Sequence, residues 1–350
     1  MSAPRRILVL GAQVPFQRGG AEWHLAALVR QLRARGHEAE AVQLPFQWDP
    51  REAALRSALA WRLLDVTRVG GVPIDLVIGT RFPSYVARHP CKVVWLFHPF
   101  RQAYDLHDAG KDGFPDTPEG RALHAHVVAL DAQALRECRR IYTTSHNNAR
   151  RLERYQGLSA DVLPLPLEDP AAWRSEAFEK YVLSVGRLET LKRTDLLVRA
   201  VAHLPAPGRV VIVGEGCERG RLAQLASELG VADRVSFLGY VDDARVRSLY
   251  ARSGAVFYAP WDEDYGLVTL EAFQSGKPVV TTNDAGGPLE FVKDGENGLV
   301  VEADPAAIGA ALGRLLASPD MARSLGARGL ERVRDLHWDG VIEALTGVLE

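Results

Sequence analysis

The stretch Pro260–Gly276, PWDEDYGLVTLEAFQSG, carries more information than any other part of this chain. The apolar run Gly254–Ala259 immediately before it predicts a short buried strand. Inside the stretch, Leu267–Gln274 has the apolar spacing of a helix. A strand that leads directly into a helix is the repeating unit of parallel α/β proteins, so the stretch predicts that architecture.

The same stretch places two acids on either side of a helix start. Gly266 opens the predicted helix, whose first backbone N–H groups are unpaired and lie at the positive end of the helix dipole, an arrangement that binds phosphate. Glu263 lies on the loop before this point, and Glu271 lies one turn into the helix. The layout predicts a sugar-nucleotide site, with the diphosphate on the amides, the ribose on one acid and the hexose hydroxyls on the other.

These residues resemble the E-x7-E motif of the retaining family 4 glycosyltransferases. The motif reads E-DYGLVTL-E here and is followed by S-G-K-P-V-V. Two glutamates at this spacing are common by chance, so the resemblance rests on the strand, glycine and helix around them; the alternative is a pair of ordinary surface acids. The resemblance implies an α/β protein of the GT-B fold, with two facing Rossmann-like domains, a central cleft and a C-terminal helix that crosses back to the first domain.

The rhythm of predicted strands and helices divides the chain in two. A first set of alternating elements ends near a proline-rich linker, and a second set begins at Tyr181–Val185. With the resemblance, this pattern predicts an N-terminal acceptor domain over residues 1–167, to which residues 337–350 return. Residues 168–336 are then expected to form a Rossmann-like domain that binds the nucleotide-sugar donor.

Composition narrows the class of protein. The chain has 350 residues, of which 47% are hydrophobic and 25% charged, enough for two globular domains. A net charge of −2 argues against bulk electrostatic binding to nucleic acid. Cys91, Cys138 and Cys217 have no metal-ligand spacing and fit reduced thiols. No apolar run is long enough to span a bilayer, and the first residues lack a signal-peptide cleavage pattern, so we expect a cytoplasmic protein.

Two cations follow the first strand of the second domain. Arg187 and Lys192, in the sequence GRLETLK, lie five positions apart on a strand-to-helix loop. Both can face one cleft, where they would neutralise a diphosphate and ease its departure. The pattern resembles the family's G-R-x4-K, which implies a diphosphate clamp. The alternative is a pair of surface cations, although the positive end of a helix disfavours them.

The resemblance also assigns the other donor contacts. It implies that Glu263 holds the sugar hydroxyls, Glu271 holds the ribose, and the backbone at Leu238 and Val241 meets the nucleobase. The full set of donor-binding residues that it implies is Gly19, Gly20, Arg187, Lys192, Leu238, Val241, Glu263, Tyr265, Gly266, Leu267, Val268 and Glu271. A glycine turn at Val213–Gly216 does not predict a nicotinamide cofactor, because its third glycine falls one residue late.

The N-terminal half contributes fewer candidates. Gly19 and Gly20 open the first helix in a G-G-x-E sequence, and their lack of side chains would allow a phosphate or an acceptor to approach closely. His98 ends the apolar strand in VVWLFHPF, and the resemblance implies that it contacts the transferred sugar. With Glu263, Arg187 and Lys192 it completes the candidate catalytic residues. Arg101 and Tyr104, on the loop after His98, are candidate acceptor contacts.

No metal is expected at this site. Asp262 and Asp264 flank Glu263 and could be mistaken for a metal-binding D-x-D motif, but the surrounding E-x7-E pattern argues against that reading. Because cationic side chains and helix amides would already cover the diphosphate, we expect no metal and no cofactor. The nucleoside diphosphate sugar would act as a co-substrate.

Taken together, the resemblance implies a retaining transferase that moves a hexose from UDP- or GDP-hexose to an acceptor hydroxyl. The acceptor would be a glycan or lipid-linked glycan in cell-surface polysaccharide or glycolipid synthesis. A nucleotide-sugar epimerase, a phosphorylase and a non-catalytic sugar-nucleotide binding protein remain alternatives. The predicted helix Ala53–Val69, with arginines beside leucines, could also rest on the inner face of a membrane, although an ordinary core helix has the same pattern.

Overall fold

The chain folds into two units, each with its own sheet and its own core. The computed structural model describes residues 4–16, 19–47, 49–110 and 113–349. One unit comprises Met1–Pro166 together with His337–Glu350, and the other comprises Leu167–Leu336. We call them the N-terminal unit and the C-terminal unit.

The N-terminal unit is a parallel sheet flanked by helices. Its described strands are β1 (Arg6–Gln13), β2 (Glu38–Pro45), β3 (Arg68–Val69), β4 (Val72–Pro73), β5 (Leu76–Arg81), β6 (Lys92–His98), β7 (Arg140–Thr143) and β8 (Asp161–Val162). Its described α-helices before the linker are α1 (Gly20–Ala34), α2 (Glu52–Leu63), α3 (Asp105–Asp108), α4 (Pro118–Arg136) and α5 (His146–Gln156). Six of the described strands form one sheet in the order β2-β1-β5-β6-β7-β8, in which every neighbouring pair is parallel. Covered by helices, the central strands are buried almost continuously, as parallel strands require.

The predicted helix Ala53–Val69 is wrong at its C-terminal end. Helix α2 stops at Leu63, and β3 and β4 form a small antiparallel hairpin instead. The turn between them is Gly70–Gly71, whose φ angles of 57° and 81° are costly for other residues but open to glycine. Local turn chemistry therefore overrides the helical pattern of the leucines and arginines. Among the described residues, no helix combines the length and the apolar character needed to cross a membrane.

The C-terminal unit repeats the same architecture. Its described strands are β9 (Tyr181–Val185), β10 (Arg209–Val213), β11 (Val235–Gly239), β12 (Ala255–Phe257), β13 (Val279–Thr282) and β14 (Gly298–Val301). Its described α-helices are α6 (Thr194–Ala200), α7 (Arg219–Glu228), α8 (Asp243–Arg252), α9 (Leu267–Gln274), α10 (Pro288–Phe291), α11 (Pro305–Ala317) and α12 (Pro319–Val333). The bounds of α9 match the prediction from sequence.

The strand order of the C-terminal unit locates a ligand site. The order is β11-β10-β9-β12-β13-β14, and every neighbouring pair is parallel. Strands β9, β10 and β11 are therefore added one after another toward one edge of the sheet. The chain then crosses back to the middle, and β12, β13 and β14 are added toward the other edge. Ligands of open α/β sheets bind at the carboxyl ends of the strands where the order reverses, which here means after β9 and β12.

The last helix, α13 (Trp338–Thr346), belongs to the N-terminal unit, as the resemblance implied. The Trp338 ring meets Trp95 of β6 edge-on, with ring centroids 6.0 Å apart. The hydroxyl of Tyr142 in β7 donates to the carbonyl of Ala344 at 3.0 Å. Because Leu345 is fully buried, the helix completes the core of this unit.

Candidate functional site

A pocket lies at the reversal of strand order in the C-terminal unit. Its lining comes mainly from the ends of β9, β10 and β12 and from the loops that follow β9 and β12. The residues that line it are Ser184, Val185, Gly186, Arg187, Leu188, Lys192, Thr194, Ile212, Val213, Phe257, Tyr258 and Ala259. The two cations predicted to clamp a diphosphate therefore share one pocket.

Lys192 and Glu263 form an ion pair at this pocket. Their side chains are 21% and 18% exposed, so the pair is partly shielded from water. The hydroxyl of Tyr258 donates to Glu263 Oε2 at 3.1 Å, and Lys192 Nζ lies 3.4 Å from the same hydroxyl. Burial and the nearby Glu263 carboxylate raise the pKa of Tyr258 well above its usual value, so it stays a donor. The structure thus brings two predicted residues into direct contact and adds a tyrosine, Tyr258, that sequence reasoning missed.

Arg187 lies at the exposed side of the pocket. Its guanidinium donates to the Glu189 carboxylate at 2.6 Å, and 58% of its side chain is exposed. Arg187 and Lys192 thus each have a carboxylate partner within the C-terminal unit. An exposed ion pair of this kind contributes little free energy, so a polyanion can displace Glu189 from Arg187 at small cost.

Arg193 is a second residue that sequence reasoning missed. It follows Lys192 directly, with a positive φ of 49°. Its guanidinium donates to the carbonyls of Ala259 and Pro260, each at 3.0 Å, and to the Asp284 carboxylate at 2.7 Å. The same contact with Arg193 lowers the pKa of Asp284. Arg193 therefore fastens the loop after β12, which carries Glu263, to the loop after β13.

Glycines allow the start of α9 to lie close to its neighbours. Gly266 has a φ of 89°, and a Cβ there would lie 2.9 Å from Pro288 and 3.0 Å from Tyr258. A Cβ on Gly287 would lie 2.7 Å from the Tyr265 backbone, while the Gly287 N–H donates to the Glu263 carbonyl at 2.8 Å. The turn into α10 therefore supports the loop that carries Glu263.

The residues around this helix start divide between backbone and side-chain roles. The Tyr265 ring is buried and packs edge-on against Phe291 at 5.3 Å between centroids. What Tyr265 can offer a ligand is therefore its backbone. Leu267 and Val268 begin α9, at the end of the helix where N–H groups lack intrahelical partners.

Glu271 lies in a different environment from Glu263. The hydroxyl of Tyr250, in α8, donates to Glu271 Oε2 at 2.7 Å. Burial raises the pKa of Glu271 to about 7, and the Tyr250 hydrogen bond partly offsets that rise. The Tyr250 ring is itself fully buried and meets the edge of Trp173 at 5.3 Å between centroids.

The candidate nucleobase contacts lie at the end of β11. Leu238 is 39% exposed, and Val241 is half-buried two residues after the strand ends. The Gly214 N–H donates to the Gly239 carbonyl at 2.8 Å, which ties the turns after β10 and β11 together. A Cβ on Gly214 would collide with the backbone of Gly186, so this turn is a close approach between chain segments.

In the N-terminal unit, the structure shows an internal role for the glycine-rich helix start. The Gly19 N–H donates to Glu22 Oε2 at 2.9 Å, which caps α1. Glu22 also pairs with Arg81 at the end of β5. Gly20 is exposed at the first position of the helix, and a Cβ on Gly19 would meet only the Glu22 carboxylate, at 3.6 Å. Ligand approach to Gly19 and Gly20 therefore remains a prediction.

His98, Arg101 and Tyr104 follow β6 in the same unit. His98 ends the strand half-buried, with Nδ1 2.9 Å from the Pro99 carbonyl. Arg101 is buried, and its Nε donates to Asp105 at 2.8 Å. Tyr104 is also buried, and its hydroxyl donates to Asp131 of α4 at 2.5 Å. The functional groups of Arg101 and Tyr104 are thus engaged inside the N-terminal unit, which leaves His98 as the more accessible of the three.

The lysine of the S-G-K-P-V-V sequence lies away from the pocket. Lys277 precedes β13 and is fully buried. It therefore lies at the amino ends of the strands, whereas the pocket lies at their carboxyl ends. Its Nζ donates to the Ala177 carbonyl and lies 3.7 Å from the centroid of the Phe178 ring. Burial lowers the pKa of Lys277 to about 8. Lys277 therefore stabilises the fold and does not form part of the pocket.

Comparison with known proteins identifies the C-terminal unit. Residues 168–332 match the family model described as "Glycosyl transferases group 1". The C-terminal unit is a group 1 glycosyltransferase domain.

Curated relatives of this glycosyltransferase domain share it over part of their length. A D-inositol 3-phosphate glycosyltransferase of Acidothermus cellulolyticus is 38% identical over 48% of this chain and 40% of its own length. That of Nocardia farcinica is 34% identical over 63% of this chain and 55% of its own length. The lipopolysaccharide core biosynthesis glycosyltransferase LpsE of Rhizobium meliloti is 36% identical over 47% of each chain. The chain thus spans about half the length of these relatives.

Solved structures match the chain over nearly all of its length. Sucrose-phosphate synthase from Thermosynechococcus elongatus aligns with a TM-score of 0.79 at 21% identity, covering 98% of each chain. Anabaena Alr3699/HepE, solved in complex with UDP and glucose, aligns with a TM-score of 0.73 at 17% identity, covering 99% of each chain. This chain therefore has the GT-B fold of glycosyltransferases.

Proposed function

We propose that this protein is a retaining, family 4 glycosyltransferase that moves a hexosyl unit from a nucleoside diphosphate sugar to an acceptor hydroxyl. The observation that carries the proposal is the pocket at the strand reversal, which Lys192 and Arg187 both line and where Lys192 pairs with Glu263. The start of α9 lies next to this pocket, because Gly266 packs close to the pocket residue Tyr258. Cations and helix amides suit a diphosphate, and a carboxylate suits sugar hydroxyls. The group 1 family match of the C-terminal unit supports the same reading.

Each group has a role in the proposed reaction. The bond from the sugar C1 to the diphosphate oxygen breaks, and Lys192, Arg187 and the amides of Gly266, Leu267 and Val268 stabilise the charge on the departing diphosphate. The acceptor oxygen bonds to C1 on the same face, and its proton passes to the leaving phosphate. Glu263 holds hexose hydroxyls throughout.

The other donor contacts in the proposal come from both units. Glu271 holds the ribose, the backbone at Leu238 and Val241 meets the base, and Tyr265 contributes its backbone to the diphosphate site. Gly19 and Gly20 approach the donor from the N-terminal unit, and His98 contacts the transferred sugar. The N-terminal unit is proposed as the acceptor domain and the C-terminal unit as the donor domain.

The substrates are proposed by class. UDP- or GDP-hexose is the proposed donor, and the HepE structure contains UDP and glucose. The proposed acceptor is a glycan or lipid-linked glycan of the cell surface; LpsE is named for lipopolysaccharide core biosynthesis. In this proposal the protein's cations and amides neutralise the diphosphate without a metal, so turnover in excess EDTA is expected to equal turnover without it.

Binding measurements test this proposal. Isothermal titration with UDP-, GDP-, ADP- and dTDP-hexoses should show one nucleotide bound with micromolar affinity, and both Arg187→Ala and Glu271→Ala should weaken it at least tenfold. An NMR assignment of the product anomer then tests retention. If the folded protein binds no member of the panel, the donor site is wrong. Turnover without an acceptor would indicate an epimerase, phosphate dependence a phosphorylase, and binding without turnover a non-catalytic protein.

A cytoplasmic location with peripheral contact at a membrane is a separate proposal. Leu59 and Leu63 of α2 are 48% and 86% exposed, and Arg56 is exposed on the same helix. Such a face suits an anionic lipid surface. Trp61 and Arg62 cannot take part, because the first is buried and the second pairs with Glu137. Reversing the charge of Arg56 should weaken sedimentation with anionic vesicles, and unchanged sedimentation would remove the proposal.

A further inference from the structure

The two glutamates of the E-x7-E motif have different hydrogen-bond partners. Glu263 is paired with a cation, Lys192, whereas Glu271 accepts from a neutral donor, the hydroxyl of Tyr250. A neutral donor can fix the orientation of a carboxylate without neutralising its charge. Tyr250 lies outside the E-x7-E motif, so the motif does not predict its contact with Glu271.

We propose that Tyr250 is a positioning residue for the donor ribose: its hydroxyl holds one oxygen of Glu271 and directs the other at the ribose diol. The inference rests on the proposed function, since it takes Glu271 as the acid that binds the ribose. Tyr250 itself touches no substrate in this arrangement and acts through Glu271.

The contact has the geometry of a strong hydrogen bond. The Tyr250 hydroxyl lies 2.7 Å from Glu271 Oε2, within the range of charge-assisted O–H···O bonds. Tyr250 lies in α8 and Glu271 in α9, on the two helices that flank β12 in the chain. The hydroxyl occupies Oε2 and so leaves Oε1 to accept from a ligand.

The tyrosine is fixed by its surroundings. It is fully buried, and its ring meets the edge of Trp173 at 5.3 Å between centroids. Burial and the adjacent Glu271 charge raise the pKa of Tyr250 well above its usual value, so the phenol stays protonated. A rigid, permanently protonated donor defines one rotamer of the glutamate, which is what a positioning role requires.

The expected effect falls on one part of the ligand. A hydrogen bond to a charged group changes an equilibrium constant by roughly tenfold or more. Loss of the Tyr250 hydroxyl would let the Glu271 carboxylate rotate, and the ribose 2′-hydroxyl would lose part of its bond. The diphosphate and the base, which the proposal places on other residues, would be little affected.

A comparison of ribose and deoxyribose nucleotides tests this. The affinity of the intact protein is measured by titration with UDP and 2′-deoxy-UDP, or with the corresponding pair for the base that binds best. We expect the ribonucleotide to bind about tenfold more tightly to the wild-type protein. In Tyr250→Phe the ratio of the two affinities should fall to about threefold or less, with the deoxynucleotide affinity changed less than twofold.

Tyr181→Phe is the matched control. Tyr181 is also buried, and its hydroxyl donates at 2.6 Å to the carbonyl of Leu249, the residue before Tyr250. This substitution removes another hydroxyl of a buried tyrosine beside the same helix but leaves Glu271 untouched. The affinity ratio should therefore stay at the wild-type value.

The outcomes separate the inference from the proposed function. If neither nucleotide binds the wild-type protein, the proposed function fails and this inference fails with it. If both bind but Tyr250→Phe keeps the wild-type ratio, or Tyr181→Phe lowers it equally, the positioning role is overturned and the donor site stands. Should Tyr250→Phe fail to fold, 3-fluorotyrosine at position 250 keeps the hydroxyl and makes it a stronger donor. The ratio should then rise, and an unchanged ratio overturns the inference.

Discussion

At the scale of single residues, the pocket is defined by charges that compensate one another. Lys192 pairs with Glu263, which also accepts a hydrogen bond from the Tyr258 hydroxyl. Arg187 pairs with Glu189 at the exposed side of the pocket. A diphosphate must compete with carboxylates for both cations. The Lys192–Glu263 pair is partly buried and less screened by water, so it competes with a diphosphate more strongly than the exposed Arg187–Glu189 pair does.

Removal of the buried cation is expected to weaken donor binding. In Lys192→Met the positive charge nearest the proposed diphosphate is lost, and the affinity for the nucleoside diphosphate should fall about tenfold to a hundredfold. Isothermal titration measures the change. Lys293→Met is the control, because Lys293 is exposed on the same unit and donates to the Leu289 carbonyl at 3.2 Å. Equal affinity in the wild type and Lys192→Met would contradict the clamp.

Glu271 is expected to make donor binding depend on pH. Its pKa is raised to about 7, chiefly by burial and further by Asp243, while the Tyr250 hydroxyl lowers it. Ribose hydroxyls donate to the carboxylate, so binding favours the ionised form. The affinity for a nucleoside diphosphate sugar should therefore rise as pH increases through about 7 and level off above it.

The Glu271→Gln variant is the control for that pH profile. A glutamine cannot ionise, so the rise in affinity near neutral pH should disappear while the protein still binds weakly. A profile that keeps its midpoint in Glu271→Gln would assign the titration to another group. The donor should be a sugar diphosphate diester, because a terminal phosphate titrates near pH 6 itself.

At the scale of elements, the start of α9 depends on a glycine. Gly266 has a φ of 89°, and its surroundings leave no room for a Cβ between Pro288 and Tyr258. Gly266→Ala should therefore destabilise the C-terminal unit by about 2 kcal/mol or more and weaken donor binding, because the helix start must move. Thermal unfolding and titration measure the two effects.

Gly220→Ala is the matched substitution for Gly266→Ala. Gly220 lies at the second position of α7, and a Cβ there would meet nothing within 4 Å. Alanine has a higher helix propensity than glycine, so Gly220→Ala should leave stability unchanged or slightly raised. Similar behaviour of the two variants would show that the conformation of Gly266 is not critical.

At the scale of the whole molecule, the two units depend on different parts of the chain. The N-terminal unit is completed by α13, whose Trp338 is 6% exposed and packs against Trp95. Trp338→Ala should destabilise that unit by about 3–5 kcal/mol, the usual cost of deleting a buried tryptophan. In calorimetry we expect one transition to move to lower temperature, while the transition stabilised by nucleotide stays in place.

Trp23→Ala provides the comparison for Trp338→Ala. Trp23 lies on α1 of the same unit but is 49% exposed, so its removal should cost less than about 1 kcal/mol. If Trp338→Ala is no more destabilising than Trp23→Ala, then α13 does not contribute to the core as its burial indicates.

The sequence alone determined the α/β class, the bounds of α9 and the residues that resemble a known motif. These features depend on spacing over a few residues, through the strand and helix periods and through glycine at a turn. The same reasoning predicted that α2 continues to Val69, because the leucines and arginines keep a helical spacing up to that residue. In the structure α2 ends at Leu63, and residues next to the Gly70–Gly71 turn form a hairpin instead.

Only the tertiary structure decided which groups meet. Tyr258 and Lys192 are 66 residues apart, and the Tyr250–Glu271 contact joins two helices across a strand. The tertiary structure also placed Lys277, which follows the E-x7-E motif closely in the sequence, just before β13 and away from the pocket. Such contacts follow from the order in which strands join the sheet, and periodicity along a single segment carries no information about that order.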